Sequence, residues 1–326
     1  MKRTVLIFMF AMMAMVYSQA QQIAVVTKGG ATSVHQTLQD AIEEADPGST
    51  IYLPGGGFQI SDDVKITKKV SIIGIGHKAV SENVEGNTVI IGNLNFNEGS
   101  SNSVVMGCYI SGDVKIGYDE KSVNNILIQY CNLNSAQVQN NTCSGTVIQQ
   151  NYIRNACCFN LASVNITNNI MHSAALISGG VISNNILTDS APGYATYAGL
   201  STVNNATISN NVFIRRWNHH EGIDCVAINN MGNGDGYGFG DGFIDLGRVD
   251  WNNVFANFNN GAIDPASDFH FKGDYLQYSD CGIYGGTEPF SESSLPPVPY
   301  IVSQEIDEQT DASGKLNIKI RVKAGE

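Results

Sequence analysis

Positive charge is scarce in this chain of 326 residues: 18 Lys and Arg stand against 30 Asp and Glu, giving a formal charge of −12. Such a surface repels nucleic acid and anionic membrane unless a local basic patch intervenes, so neither is an expected partner. It also repels polyuronates as a whole. An enzyme for acidic glycans would need a concentrated cationic cleft or a bound divalent ion, which leaves calcium open as a cofactor. Paired cysteines are missing too. The seven Cys are odd in number, irregularly spaced and free of CxxC pairs, so neither a zinc site nor a disulfide scaffold is signalled. Long apolar runs are absent beyond residues 5–16 of the opening MKRTVLIFMFAMMAMVYSQA, and that run is short for a membrane span. With Lys2 and Arg3 ahead of it and Ser18-Gln19-Ala20 behind it, residues 1–20 read as a signal peptide cut before Gln21. No Cys follows, so no lipid anchor is indicated. Removing the leader takes the formal charge from −12 to −14 and predicts a secreted, periplasmic or cell-surface product without a transmembrane segment.

Helical periodicity is also lacking where the chain repeats itself. The repeated phrase reads ILIQYCNL at 126–133, VIQQNYI at 147–153, VNITNNIM at 164–171, VISNNIL at 181–187 and ATISNNVF at 206–213. Aligned on the central polar residue, these put Cys131, Asn151, Asn169, Asn185 and Asn211 in one column. VVMGCYI extends the column back to Cys108, and VDWNNVF extends it forward to Asn253. The steps are 23, 20, 18, 16, 26 and 42 residues. Short β-branched runs broken by Asn, Gly and Ser make each repeat a strand plus turns, so the period is one coil of a β-solenoid. In a parallel stack equivalent side chains sit about 4.8 Å apart, close enough for amides to donate and accept along the row. An inward Asn at a bend can also hold a left-handed backbone. The alternative, that Asn-Asn merely marks exposed turns, does not account for the fixed apolar flanks.

The Asn column in coils of this length resembles the right-handed parallel β-helix superfamily of pectate lyases, pectin methylesterases and polygalacturonases, over about residues 30–290. The resemblance implies an all-β, single-stranded right-handed parallel β-helix and an extracellular polysaccharide as partner. The fold hosts many activities, so the chemistry is not implied with it. DPGSTIYLPGGGFQI and VSIIGIG, including Gly48 and Gly55, are similar to the opening of such solenoids. The segment around Cys281-Gly282-Ile283-Tyr284-Gly285-Gly286 resembles the closing segment of secreted β-helix proteins common in gut Bacteroidetes. The expected organisation is a solenoid over 21–290 and a tail over 291–326. About ten coils fit between residues 50 and 285.

An open solenoid needs its first coil covered. A cap helix over about 33–46 answers that, started by a Ser33–Gln36 capping box and burying Val34, Leu38, Ala41, Ile42 and Ala45. In the tail, Pro296-Pro297-Val298-Pro299 reads as an extended linker. LNIKIRVKAGE, which alternates apolar and polar residues, reads as a strand that pairs along the rod or serves in attachment.

Two stretches depart from the repeat. One offers Tyr194 and Tyr197, and the other is IRRWNHHEGIDC, with a Gly-rich run after it. The second holds Arg215, Arg216, Trp217, His219, His220, Glu221 and Asp224. Arg can grip a carboxylate in a bidentate pair, His or Glu can move a proton near neutral pH, and Trp can stack on a sugar face. Arg215, Arg216, His219, His220 and Glu221 are therefore the candidate catalytic residues, with Trp217, Tyr194, Tyr197 and Asp224 as ligand-binding candidates. The bland alternative is a solvated loop whose Arg side chains pair with Glu221 and Asp224.

No metal ligand set is expected. His219 and His220 point apart in a strand and lack ligand spacing, and Asp235, Asp241 and Asp245 fit no calcium-loop pattern. Asp62-Asp63 lies near the capped end. Neither G-H-G nor R-I-K is present, so the paired carboxylates of glycoside hydrolysis are not assembled. FIDLG at 243–247 is faintly similar to a methylesterase strand, yet that family's Gln-Asp-Thr partner is absent. Arg154 and Arg215 follow their column residues closely, which puts them in turns. Two functions stay open: binding or processing of a glycan along one solenoid face, and a non-catalytic surface or adhesin-like solenoid.

Overall fold

Period-two burial winds this chain. In Thr146–Gln149 and Val164–Thr167 the first and third side chains are buried while the second and fourth are half-exposed, as alternate faces of a strand require. The computed structural model describes residues 23–27, 29–62, 64–78, 86–188, 199–214, 223–233, 242–258, 266–297, 299–306, 313–315 and 318–324. Their strands form three long sheets, of eleven, ten and seven strands. From Ser49–Tyr52 onward every pairing in these sheets is parallel and links one coil to the next: Leu127 with Val147, Asn132 with Tyr152, Val114 with Ala136. The architecture is the right-handed parallel β-helix that the repeat predicts. The ten strands of the second sheet match the expected number of coils.

The rod's interior is a set of apolar columns. Ile72, Val105, Ile128, Ile148, Ile166, Ile182 and Ile208 stack in register, each with no exposed surface. Each buried side chain contributes roughly 1.5–3 kcal/mol of transfer free energy, so cohesion is distributed along the axis rather than gathered at one centre.

Between the first and second sheets the chain bends at Asn151, Asn169, Asn185, Asn211 and Asn230, all buried. The backbone N–H of each of the first four donates to the Oδ1 of the rung above, at 2.9, 2.9, 3.0 and 3.1 Å. Their Nδ2 groups donate to the same oxygens at 3.0, 3.0, 2.9 and 2.9 Å. Each Nδ2 also reaches a carbonyl of the coil below, as from Asn185 to Ile166 at 2.8 Å. The upper rung is Asn230, not Asn253, which is exposed in the short helix Trp251–Val254. The 42-residue step hides a further coil, whose strands are Val226–Ile228 and Met231–Gly232. The left-handed backbone belongs to the residue before each rung: Gln150, Asn168, Asn184, Asn210 and Asn229 have φ between 53° and 56°. The first residue of each pair, Gln150 or an Asn, makes the corner and the second makes the ladder. Cys108 and Cys131 fill the same column lower down, and the Cys131 thiol donates to the Gln129 carbonyl at 3.2 Å.

The cap departs from the expected 33–46 helix. Thr32–His35 is a strand antiparallel to Ile23–Val26, and the helix is Leu38–Glu44. Its N-cap is Thr37, whose Oγ1 accepts from the Asp40 backbone at 3.1 Å, so the effective box is Thr37–Asp40 rather than Ser33–Gln36. Strand pairing takes Ser33 and leaves Val34 exposed. Leu38, Ala41, Ile42 and Ala45 are buried as the spacing predicts.

The C-terminal part adds a second core outside the rod. The outward row Tyr152, Ile170, Ile186, Val212 and Met231 of the second sheet is buried beneath Cys281, Ile283 and Phe290, and a cap cluster of Trp251, Phe255, Phe258 and Phe269 continues it. Residues 280–296 form a strap that runs back down the rod. Asn184 Nδ2 holds the Asp280 carbonyl at 2.7 Å, Asn168 Nδ2 holds that of Ile283 at 2.9 Å, and Gln150 Oε1 accepts from the Ser291 N–H at 2.9 Å. Leu295 and Pro296 reach the lowest glycine corners, Gly76 and Gly107. The final strand, Ile318–Ala324, pairs antiparallel with Pro299–Ile306, so its partner is its own hairpin and not the rod.

Candidate functional site

Among the described residues, two of the three faces carry no covering segment. The strap covers the second. The first presents mainly neutral side chains such as Val104, Leu127, Val147 and Val181, whereas the outward row of the third carries Lys65, Lys115 and Gln137. Cations are what an acidic chain must concentrate to hold an anion, so the third face is the candidate site.

Lys65 and Lys115 stand two coils apart and both lie over the Tyr118 ring, at 5.7 and 5.9 Å. Lys65 also pairs with Asp119 at 2.5 Å, both half-exposed. Asp113 is fixed at the base of this face by the Asn134 amide, the Ser135 hydroxyl and the Gln137 amide, at 2.8, 2.9 and 3.0 Å. Three donors hold its carboxylate as an acceptor and a structural post.

The corner where chain leaves the second sheet for the third forms one wall. It holds Ser111, Asn134, Arg154, His172, Thr188 and Ile214, each just past the in-register set Ile110, Leu133, Ile153, Met171, Leu187 and Phe213. Each also stands three residues beyond its column residue, a spacing visible in the sequence. Arg154 does not stay in its turn. Its guanidinium folds back over two coils, bonds Asn132 Oδ1 and the Ile110 carbonyl, the latter at 2.7 Å, and stacks 4.4 Å from the centre of Tyr109. Lys78 adds a second cation, 3.3 Å from the Tyr152 hydroxyl. Beside it His77 is buried, its Nδ1 without a hydrogen-bond partner. Burial first, then Lys78 and Arg154, outweigh a backbone hydrogen bond and push its pKa down to about 3, so it is a neutral packing ring.

Tyr194, Tyr197, Arg215, Arg216, Trp217, His219, His220 and Glu221 lie outside the described residues. Their anchors are described. One segment begins after Leu187 and the other after Phe213, and these two residues pair in adjacent coils. The described chain stops at Thr188 and at Ile214 of the Arg154 corner and resumes at Gly199, just before Leu200–Asn204, the last described strand of the third sheet, and at Ile223. Asp224 is exposed in a left-handed turn that leads into Val226–Ile228, at the opposite edge of that face. Asp245 caps a turn by accepting from the Gly247 N–H at 2.7 Å.

A second polar cluster stands at the far end. Asp268 and His270, two apart on the strand Asp268–Phe271, share its outer side, and Glu292 of the strap joins them. His270 Nδ1 is 2.7 Å from Asp268 Oδ1 and 3.8 Å from Glu292 Oε1. The Asp268 pKa is lowered: burial acts to raise it, but the His270 N–H groups and ring charge together outweigh that. Tyr284 stacks on the imidazole at 3.7 Å and donates to Glu292 at 2.8 Å; burial and that carboxylate push the phenol pKa up. The Asp-x-His spacing was the available signal for it, and the sequence reading passed over it.

Among the described residues no helix is long and apolar enough to cross a membrane. No curated protein and no solved structure shows significant similarity to the chain. The family of rhamnogalacturonase A/epimerase, pectate lyase-like proteins matches residues 26–236, which takes in the cap helix, the ladder and the Lys65–Lys115 face. Parallel coils, a side-chain ladder and that match agree, and the chain belongs to the pectate lyase-like rhamnogalacturonase A/epimerase family.

Proposed function

We propose that the third face is a groove for an extracellular acidic polysaccharide, with the chain of sugars lying along the rod axis. What carries this is the pairing of Leu187 with Phe213, since it sets Thr188 and Ile214, the last described residues before the two segments rich in Tyr, Arg and His, in adjacent coils at the corner of that face. Lys115, and Lys65 beside its partner Asp119, supply positive charge below them, in a molecule whose balance is otherwise acidic, while the Arg154 guanidinium lies over Tyr109 on the second-sheet side of the corner. Lys65 and Lys115, two strand spacings apart with Asn95 between them, suit a polymer whose carboxylates recur along its length. Tyr194, Tyr197 and Trp217 would stack on sugar rings, with Arg215, Arg216 and Asp224 completing the grip. His219, His220 and Glu221 would move the proton if the chain is cut. The proposed place of action is outside the cytoplasm, where a signal peptide over residues 1–20 would send the chain.

Binding without cleavage is the second reading, and one observation favours it. Among the described residues, Asp113 is held by three donors and Asp119 by Lys65, so the described face offers grip and no acid–base pair. A panel of neutral and uronate-containing polysaccharides, assayed for binding and for new reducing ends or unsaturated products, separates the two. Lys65→Gln with Lys115→Gln should weaken uronate binding at least tenfold and flatten its salt dependence, while Lys272→Gln in the distant cap changes nothing. Arg215→Ala with Arg216→Ala should abolish any cleavage. Failure to bind any polysaccharide, with or without calcium, overturns the groove.

A further inference from the structure

We infer that Asp268, His270 and Glu292 form a divalent metal site that staples the strap to the C-terminal cap. One ligand atom from each lies within 4.8 Å of the other two, a span that small rotamer changes close onto one ion. The two strand residues face the same way because they are two apart, and the third ligand arrives from a segment that runs in the opposite sense along the rod. Two carboxylates outnumber one imidazole, and among the described residues no Lys or Arg forms an ion pair with any of the three. A cation resolves that imbalance.

The donor set names the class of ion. One imidazole nitrogen with two carboxylate oxygens suits Zn²⁺ or Mn²⁺, whereas Ca²⁺ takes six to eight oxygens. Tyr284 does the work of an outer support: its ring lies parallel to the imidazole within 11°, and its hydroxyl fixes the Glu292 oxygen. The His270 backbone N–H, 3.0 Å from Asp268 Oδ1, orients the other carboxylate. Remaining positions on the ion would hold water. The site lies beyond residue 236, outside the stretch that matches the family, and is independent of the glycan groove.

The test is calorimetric titration of Zn²⁺, Mn²⁺ and Ca²⁺ into metal-stripped full-length protein carrying Cys158→Ser, which removes the one exposed thiol among the described residues. One equivalent of Zn²⁺ or Mn²⁺ should bind with micromolar or tighter affinity, Ca²⁺ at least tenfold more weakly, and the melting temperature should rise with the metal. His270→Gln and Glu292→Gln should each weaken binding 10- to 100-fold, while Glu288→Gln, on the same strap, leaves it unchanged. Tyr284→Phe keeps the ring and loses the hydroxyl, and should weaken binding less than either ligand change. No saturable binding, binding indifferent to His270→Gln and Glu292→Gln in proteins with unchanged circular dichroism, or Ca²⁺ bound as tightly as Zn²⁺, would each overturn the site.

Discussion

The two halves of the central column do the same job with different chemistry. Upward from Asn151 it is built of amides, whose oxygens accept from the rung below and whose Nδ2 groups donate to the rung above and to a carbonyl of the coil below, as Asn151 does. Below, Cys131 and Cys108 fill the same bend with thiols. The Cys131 N–H still donates to Asn151 Oδ1, but its sulfur reaches the Val105 carbonyl only at 3.8 Å, where the amides make contacts of 2.8–2.9 Å. The bend itself therefore requires only a small side chain and a left-handed residue before it. The amide adds a cooperative hydrogen-bond chain and links each coil to two others.

The largest effect should come from cutting the amide half in its middle. Asn185→Ala strands the Asn169 N–H in a dry interior and takes one partner each from the Asn169 amide, the Ile166 carbonyl and Asn211 Oδ1, at a cost of about 3–5 kcal/mol. Cys131→Ala removes a sulfur from an equally buried site and should cost about 1–2 kcal/mol. Urea unfolding of both variants reads the difference directly. Equal losses would mean that the amides merely occupy space.

This asymmetry explains what could be seen in advance. The fold was legible because Asn-Asn with fixed apolar flanks has one physical use, and Asn151, Asn169, Asn185 and Asn211 do sit one above another. Asn253 misled because it also stands in an Asn-Asn pair, while Asn230 sits in a shorter phrase, AINNMG, flanked by Gly-rich chain. The cap helix started late because Ser33 satisfied a capping rule locally while strand pairing with Ile23–Val26 claimed its backbone. The site was less legible. Lys65, Lys115 and Tyr118 share a face only through inter-coil register, and Glu292 meets His270 only because the strap reverses along the rod. No local pattern encodes either meeting.

Acid should sharpen the contrast, because no group in the amide column titrates whereas the lower coils enclose His77. In the unfolded chain this imidazole protonates near its ordinary pKa of 6.5; in the fold it does so only at about 3. Between those values the unfolded state binds more protons, so stability falls as pH drops below about 6.5. At pH 4.5 the loss approaches 2–3 kcal/mol, at about 1.36 kcal/mol per pH unit. His77→Phe keeps the edge-on contact with Tyr152 and removes the proton site, so its stability should be flatter from pH 6.5 to 4. Amide hydrogen exchange at pH 4.5 should show Ile72, Val105 and Ile128 losing protection before Ile166 and Ile182. The reverse order would place the acid-sensitive element in the upper coils.

The smallest change tests whether the thiol half is an unfinished ladder or a different device. In Cys131→Asn the new Oδ1 would accept from the Cys108 N–H, as Asn151 Oδ1 already accepts from the Cys131 N–H. Its Nδ2 would donate to Asn151 Oδ1 and to the Val105 carbonyl, the partners that Asn151 finds in Asn169 and Ile128. Tyr130, just before it, is already left-handed at φ 54°, so the backbone needs no adjustment. A gain of about 1 kcal/mol is expected, the net value of one added hydrogen bond after the loss of the thiol's weaker contacts. The measurement is the urea midpoint at constant slope. A loss instead of a gain would show that the lower coils are shaped around sulfur: a Cβ on Gly74 would stand 2.8 Å from Cys108 Sγ, so the rung below Cys131 has no slack with which to accommodate a larger neighbour.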